Sequence, residues 1–199
     1  MLLLVLGLLL VSSGILIFDT RPADAASVVN LKMGSGPDAV DVNPTTNMVY
    51  VANYDDSTVT LIDGKTDNVV SNGIHVGLGP SAISVNPTTN MVYVANRDED
   101  NNYANNATVS VISGNTNRVT ANVTVGGSPS AISVNPTTNM VYLANTNNNT
   151  ISIIDGKTNR IVSNGIQVGE RPLALSVNPY NNIIYVANNN DTLSIISSN

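Results

Sequence analysis

Beyond residue 27 the chain alternates short apolar runs of about five residues with clusters of Asn, Gly, Pro, Ser and Thr. None of these runs shows the three-to-four spacing of an amphipathic helix, and Val, Ile, Thr and Tyr, which dominate them, are strand formers. One unit displays the pattern in full. Gly77-Leu78-Gly79-Pro80 is turn chemistry, and residues 81–85 read as a first strand, A. Asn86-Pro87-Thr88-Thr89-Asn90 is the next turn, with Pro presetting one φ angle and Asn90 suited to a left-handed one. Residues 91–95 read as strand B, 108–112 as strand C and 118–125 as strand D, with Ser113-Gly114-Asn115-Thr116-Asn117 turning the chain between the last two. Tight turns between consecutive strands predict antiparallel neighbours.

The segment Val-Asn-Pro-Thr-Thr-Asn-Met-Val-Tyr-Val-Ala-Asn recurs, beginning at Val42, Val85, Val134 and, in a looser copy, Val177. A period of about 40 residues is that of a solenoid or propeller. Met91-Val92-Tyr93-Val94-Ala95 is apolar at every position, so both faces of strand B are expected to be covered. Propeller blades are sheets stacked between other sheets, which supplies that cover. A parallel sheet would need crossover helices that the pattern lacks. A sandwich or up-and-down barrel stays open as an alternative, although neither repeats naturally in units of four strands.

These residues resemble the YVTN family of β-propeller repeats. Its Tyr-Val-Thr-Asn signature stands here as Tyr50-Val51-Ala52-Asn53, Tyr93-Val94-Ala95-Asn96, Tyr142-Leu143-Ala144-Asn145 and Tyr185-Val186-Ala187-Asn188, with Ala for Thr throughout. Val-x-x-Ile-Asp-Gly follows at 59–64, in the related form Ile-x-x-Ile-Asp-Gly at 151–156, and Gly-x-x-Pro opens the copies at Gly34, Gly77, Gly126 and Gly169, with Ser-Gly-Pro in the first. The resemblance covers essentially all of the chain after residue 27. It implies an extracellular or surface-layer repeat protein, non-enzymatic as a rule, and brings no catalytic residues with it.

Residues 27–34 align with 70–77, a strand D, whereas the last apolar run, 192–196, is a strand C. The chain thus reads D, three ABCD sets, then ABC. The expected architecture is an all-β propeller of four four-stranded blades, closed by pairing of the N-terminal strand 28–33 with the C-terminal blade. Closure would remove two aggregation-prone edges. A fragment of a larger propeller and an eight-bladed ring of two chains are the alternatives; seven blades in one chain would need roughly 300 residues.

The chain divides into 1–26 and a propeller domain, 27–199. Residues 2–18 carry no charge and are almost wholly apolar, and Ala23-x-Ala25 fits a signal-peptidase site, so 1–26 is expected to be a signal peptide or a retained membrane anchor. Either places the domain outside the cell, secreted or at its surface. The 199 residues include no Cys, which excludes disulfides and thiolate metal sites. With eight Lys and Arg, scattered, and a net charge of −6, nucleic acid is not an expected partner.

Anything specific should lie where the copies diverge, in the loops between strands B and C, which share a face with the D–A turns. The longest runs Arg97-Asp98-Glu99-Asp100-Asn101-Asn102-Tyr103-Ala104-Asn105-Asn106-Ala107. Arg97, Asp98, Glu99, Asp100 and Tyr103 are the candidate contacts for a protein or cell-surface glycan. Asp98-x-Asp100-x-Asn102 has the alternating spacing of a weak structural Ca²⁺ site, although Tyr103 stands where a turn glycine would belong. No other cofactor is expected. Sequons at Asn106, Asn122, Asn148 and Asn190 are candidate glycosylation sites. His75 is the only His, so neither a triad nor a multi-His metal site can form in one chain. A propeller hydrolase, lactonase-like with a channel-bound metal, is the alternative function; at the starts of the A strands, Asp38 is the one ionisable residue on which it could draw.

Overall fold

The computed structural model describes residues 28–98 and 107–197. The chain falls into two units, 1–30 and 31–199, and only the second holds regular structure among the described residues. All of it is strand. Fifteen strands form four antiparallel sheets. Sheet 1 comprises β1 (Pro37–Asn43), β2 (Met48–Asn53), β3 (Thr58–Asp63) and β4 (Asn68–His75). Sheet 2 comprises β5 (Pro80–Asn86), β6 (Met91–Asn96), β7 (Thr108–Ser113) and β8 (Arg118–Thr124). Sheet 3 comprises β9 (Pro129–Asn135), β10 (Met140–Asn145), β11 (Thr150–Asp155) and β12 (Arg160–Gln167), and sheet 4 comprises β13 (Pro172–Asn178), β14 (Ile183–Asn188) and β15 (Leu193–Ser197). Strands follow one another in sequence order within every sheet. The A, B, C and D runs read from the sequence are these strands to within a residue or two.

The register explains why the strand-B positions are apolar on both sides. Tyr50 pairs with Leu61 and Asp41, and its counterparts Tyr93 and Tyr142 pair with Val111 and Ile153. Those tyrosines lie on one face of their sheets, and each such face packs on the opposite, valine-rich face of the sheet that follows. Tyr50, Val59 and Leu61 of sheet 1 cluster with Ile83, Val85 and Val94 of sheet 2. Tyr93, Val109 and Val111 of sheet 2 cluster with Ile132, Val134 and Leu143 of sheet 3. Tyr142 and Ile151 of sheet 3 meet Ile184 and Val186 of sheet 4. The core is therefore three copies of one interface, with β1, β5, β9 and β13 lined up as successive inner strands.

The expected closure does not occur. Residues 28–33 form no strand, and sheet 4 ends at β15 with three strands instead of four. Sheet 4 does not pack on sheet 1: Val40 and Val42 on one side, and Leu193 and Ile195 on the other, remain exposed. The physical reason lies in the interface. A buried Tyr and its β-branched neighbours hold successive sheets apart and fix the wedge between them. Four sheets wedged in this way make an arc short of a full turn.

Candidate functional site

Backbone hydrogen bonds bring the B–C loops and the D–A turns to one end of the sheets. Tyr54 N–H donates to Gly36 O (2.6 Å), Arg97 N–H to Gly79 O (3.0 Å), Thr146 N–H to Ser128 O (3.0 Å) and Asn189 N–H to Glu170 O (3.0 Å). The sequence pattern placed both loop sets on one face, and these four bonds build it. Beneath it, the last residue of each signature ties strand B to strand C. Asn96 Nδ2 donates to Thr108 Oγ1 and to Ser110 Oγ, both at 3.0 Å, and Asn53, Asn145 and Asn188 repeat the arrangement. Ser110 Oγ also accepts from Gly77 N–H (3.2 Å), which anchors the D–A turn to the same node.

Two polar hollows open on this face at sheet junctions. One, of about 340 Å³, is lined by Gly36, Pro37, Asp38, Tyr54, Asp55 and Arg97. The other, of about 460 Å³, is lined by Thr146, Asn147, Asn149, Glu170 and Arg171. In the first, three separate segments converge: the start of β1, the loop after β2 and the loop after β6. The neighbouring turn is held by carboxylates, because Ser35 N–H donates to Asp56 Oδ2 (2.6 Å) and Ser35 Oγ to Asp55 Oδ2 (3.4 Å). Gly36 has φ +65°, and a Cβ there would lie 2.7 Å from the Asp55 carboxyl carbon, so this turn admits only glycine. Arg97 is held by its Nε donating to Pro129 O (3.3 Å). The Tyr54 ring lies against the left-handed Gly79, whose added Cβ would come within 3.2 Å of it.

Of the loop residues singled out from the sequence, Arg97 lines this hollow. Asp98 adopts φ +49°, and its N–H donates to Leu78 O (3.1 Å). Glu99, Asp100, Asn102, Tyr103 and Asn106 lie outside the described residues. Among the described residues no group of three His, Cys, Asp or Glu stands ready for a metal ion. Asn122 is exposed on β8, with its Oδ1 accepting from Ser110 Oγ (2.8 Å). Asn148 and Asn190 are exposed on the loop face, Asn190 Oδ1 accepting from Thr192 Oγ1 (2.6 Å). His75 is exposed on the outer strand β4. Sequence reasoning placed Tyr54 and Asp55 in a divergent B–C loop without singling out either as a lining residue, and passed over Glu170 and Arg171 as lining residues. Their signal was divergence between copies in the short loops and turns, which the longer insertion outweighed.

The stacked antiparallel sheets, three of four strands and one of three, with loops gathered at one end define a β-propeller. Residues 71–168, close to half of the chain, match the family described as lactonase, 7-bladed beta-propeller. No curated protein matches. Among solved structures, the chain is similar to Kuenenia stuttgartiensis hydrazine synthase, with 21% identity and a TM-score of 0.72 over 86% of this chain. The chain spans 49% of the length of that protein, and the likeness concerns the fold. The family match corrects the expectation of a non-enzymatic repeat protein: it points to an enzyme-related propeller family, and it describes seven blades where the sequence pattern led us to expect four.

Proposed function

We propose that this chain is the recognition portion of an exported, enzyme-related β-propeller, and that its loop face binds a saccharide of a cell-surface glycan. The hollow at the junction of sheets 1 and 2 carries this reading. Its volume of about 340 Å³ suits one or two sugar rings, the low end of ligand pockets in general. Asp38 and Asp55 supply acceptors for sugar hydroxyls, the Arg97 guanidinium supplies donors, and the Tyr54 ring supplies an apolar surface for a pyranose face. Residues 1–26 would carry the domain out of the cell as signal or anchor.

The test is a glycan array probed with the full chain, followed by titration of the best ligand. Arg97→Ala with Asp55→Asn should weaken that ligand at least tenfold while leaving the melting temperature within a few degrees, since both side chains lie on the face and not in the core. Lactone substrates belong in the same experiment, because the family match makes ring-opening hydrolysis at this face the second reading. Saccharide binding that the double variant leaves intact, or no saccharide bound at all, would overturn the first.

A further inference from the structure

The pentapeptide Val-Ser-Asn-Gly-Ile occurs twice, at residues 70–74 in β4 and at residues 162–166 in β12, and it holds both Asn-Gly pairs of the sequence. An asparagine followed by glycine is prone to lose its side-chain amide, because glycine has no Cβ to keep its nitrogen away from the asparagine carbonyl. Both pairs fall in β-bulges. Val59 pairs with Ile74 and Leu61 with Ser71, so Asn72 and Gly73 stand opposite Thr60 alone. Ile151 pairs with Ile166 and Ser152 with Asn164, so Gly165 is the extra residue there. In β8 the aligned Asn122 is followed by Val123 without a bulge between them, the two pairing with Ser110 and Val109. Asn72, Asn122 and Asn164 are all exposed. Sheets 2 and 3 each have a sheet on either side, so this exposure belongs to the outer strand and owes nothing to the place of sheet 1 in the stack.

The two asparagines are held differently. Asn164 Oδ1 accepts from Ser152 Oγ (2.6 Å) and lies against Gly126, where an added Cβ would stand 3.5 Å from it. That amide must leave the serine before its carbonyl carbon can turn to the Gly165 nitrogen. In sheet 1 Thr60 takes the place of the serine, with its Oγ1 accepting from Asn53 Nδ2 (2.9 Å) and Gly34 N–H (3.4 Å). Among the described residues Thr60 gives Asn72 no hydrogen bond. Gly73 N–H donates to Ser71 Oγ at 3.5 Å, too long a contact to hold the nitrogen in place. The two Asp-Gly pairs, which share the same liability, are better secured: Gly64 N–H donates to Asn47 O and Gly156 N–H to Asn139 O, both at 2.9 Å.

We propose that Asn72 is a site of spontaneous deamidation in the folded protein, and that the fold spares Asn164 in the identical pentapeptide. The Gly73 backbone nitrogen, giving up its proton, attacks Asn72 Cγ. A new C–N bond closes a five-membered succinimide, the bond from Cγ to the side-chain nitrogen breaks, and ammonia leaves with the proton. Water then opens the ring. Cleavage at Cγ restores the ordinary backbone and leaves aspartate; cleavage at the Asn72 backbone carbonyl leaves isoaspartate, with the chain running through Cγ and one carbon longer. Either product replaces a neutral amide by a carboxylate and makes β4 one charge more negative. The bulge takes up the longer backbone, since Asn72 and Gly73 are already outside the ladder.

The full chain, incubated at mildly alkaline pH and mapped by peptide mass spectrometry, should gain about 1 Da at Asn72, with fragmentation separating aspartate from isoaspartate. Loss at Asn72 should be roughly tenfold faster than at Asn164, whose hydrogen bond to Ser152 must break first. In concentrated urea the two sites should react at equal rates, because their local sequences are the same. Gly73→Ala places a Cβ in open space, so it should fold normally and stop the change at Asn72. Ser152→Ala, with its fold checked by circular dichroism, should raise the Asn164 rate toward that of Asn72. Equal rates in the folded protein, faster loss at Asn164, no loss at Asn72, or a folded Ser152→Ala that leaves Asn164 unchanged would each overturn the proposal.

Discussion

At the scale of single residues, the signature asparagine Asn96 does two jobs, and the geometry makes both measurable. Asn96 is buried and donates to two hydroxyls of strand C. Its place also dictates the glycine that opens the blade: a Cβ on Gly77 would lie 2.7 Å from Asn96 Nδ2 and from Thr108 Oγ1. Asn96→Ala should cost about 1–3 kcal/mol by removing its two hydrogen bonds to strand C, with Ser110 Oγ keeping Gly77 N–H and Asn122 Oδ1 as partners, and Gly77→Ala a similar amount through overpacking. Because both act on one node, urea denaturation of the double variant should show a loss smaller than the sum by about 0.5 kcal/mol or more; strict additivity would separate the two. The buried tyrosines behave differently. Tyr93 OH has no hydrogen-bond partner among the described residues, and burial, reinforced by the charge of Asp155, pushes its pKa from 10.0 up to about 12. Between these values the folded state keeps a proton that the unfolded chain has released. Its stabilising contribution is therefore intact below pH 10 and is lost as pH rises through about 12, on the order of 2 kcal/mol. Tyr93→Phe should melt at the same or a higher temperature at pH 8, and its alkaline loss should be smaller than that of the wild type.

At the scale of elements, the turns set the register. The A–B turns place Asn47, Asn90, Asn139 and Asn182 at φ between +54° and +62°, and the C–D turns do the same with Asp67, Asn117 and Asn159 near +54°. Asn tolerates this conformation, and its repetition at matching offsets is why strand boundaries could be read so closely. Asn159 offers a clean test, since its N–H donates to Asp155 O (2.8 Å) while its Oδ1 is buried without a partner among the described residues. Asn159→Gly should stay within about 0.5 kcal/mol of the parent, and Asn159→Val should lose at least about 1 kcal/mol to left-handed strain, as thermal unfolding would report. Equal effects would mean that the side chain and not the backbone angle matters. One element defied its sequence pattern. Residues 28–33 carry the spacing of a strand D, yet they form no strand, because a strand needs a partner edge and these residues pair with none of the described sheets.

At the scale of the whole molecule, the described sheets pack only on their immediate neighbours in the stack, so stability should behave as a sum of sheet and junction terms. Hydrogen exchange should therefore be slowest in β6, β7, β10 and β11, each flanked by sheets on both sides, and fastest in β1, β13 and β15 of the end sheets. Uniform protection across all four sheets would show a ring already closed. Much of this organisation is legible in the sequence: the period gives the blade, the all-apolar Met91–Ala95 run gives burial on both faces, and the Asn and Gly positions give the turns. Those features are local, decided within a few residues by sterics, hydrogen bonding and side-chain polarity. The candidate site was only partly legible. Arg97 stood out in a divergent loop, but nothing in the chain order announces that Asp38, Tyr54 and Arg97 would share one hollow, because they converge only when sheets 1 and 2 stack. Whether the arc closes was hidden for the same reason. The angle between sheets comes from how Tyr50, Tyr93 and Tyr142 fill their junctions, a property of three-dimensional packing that no spacing along the chain encodes.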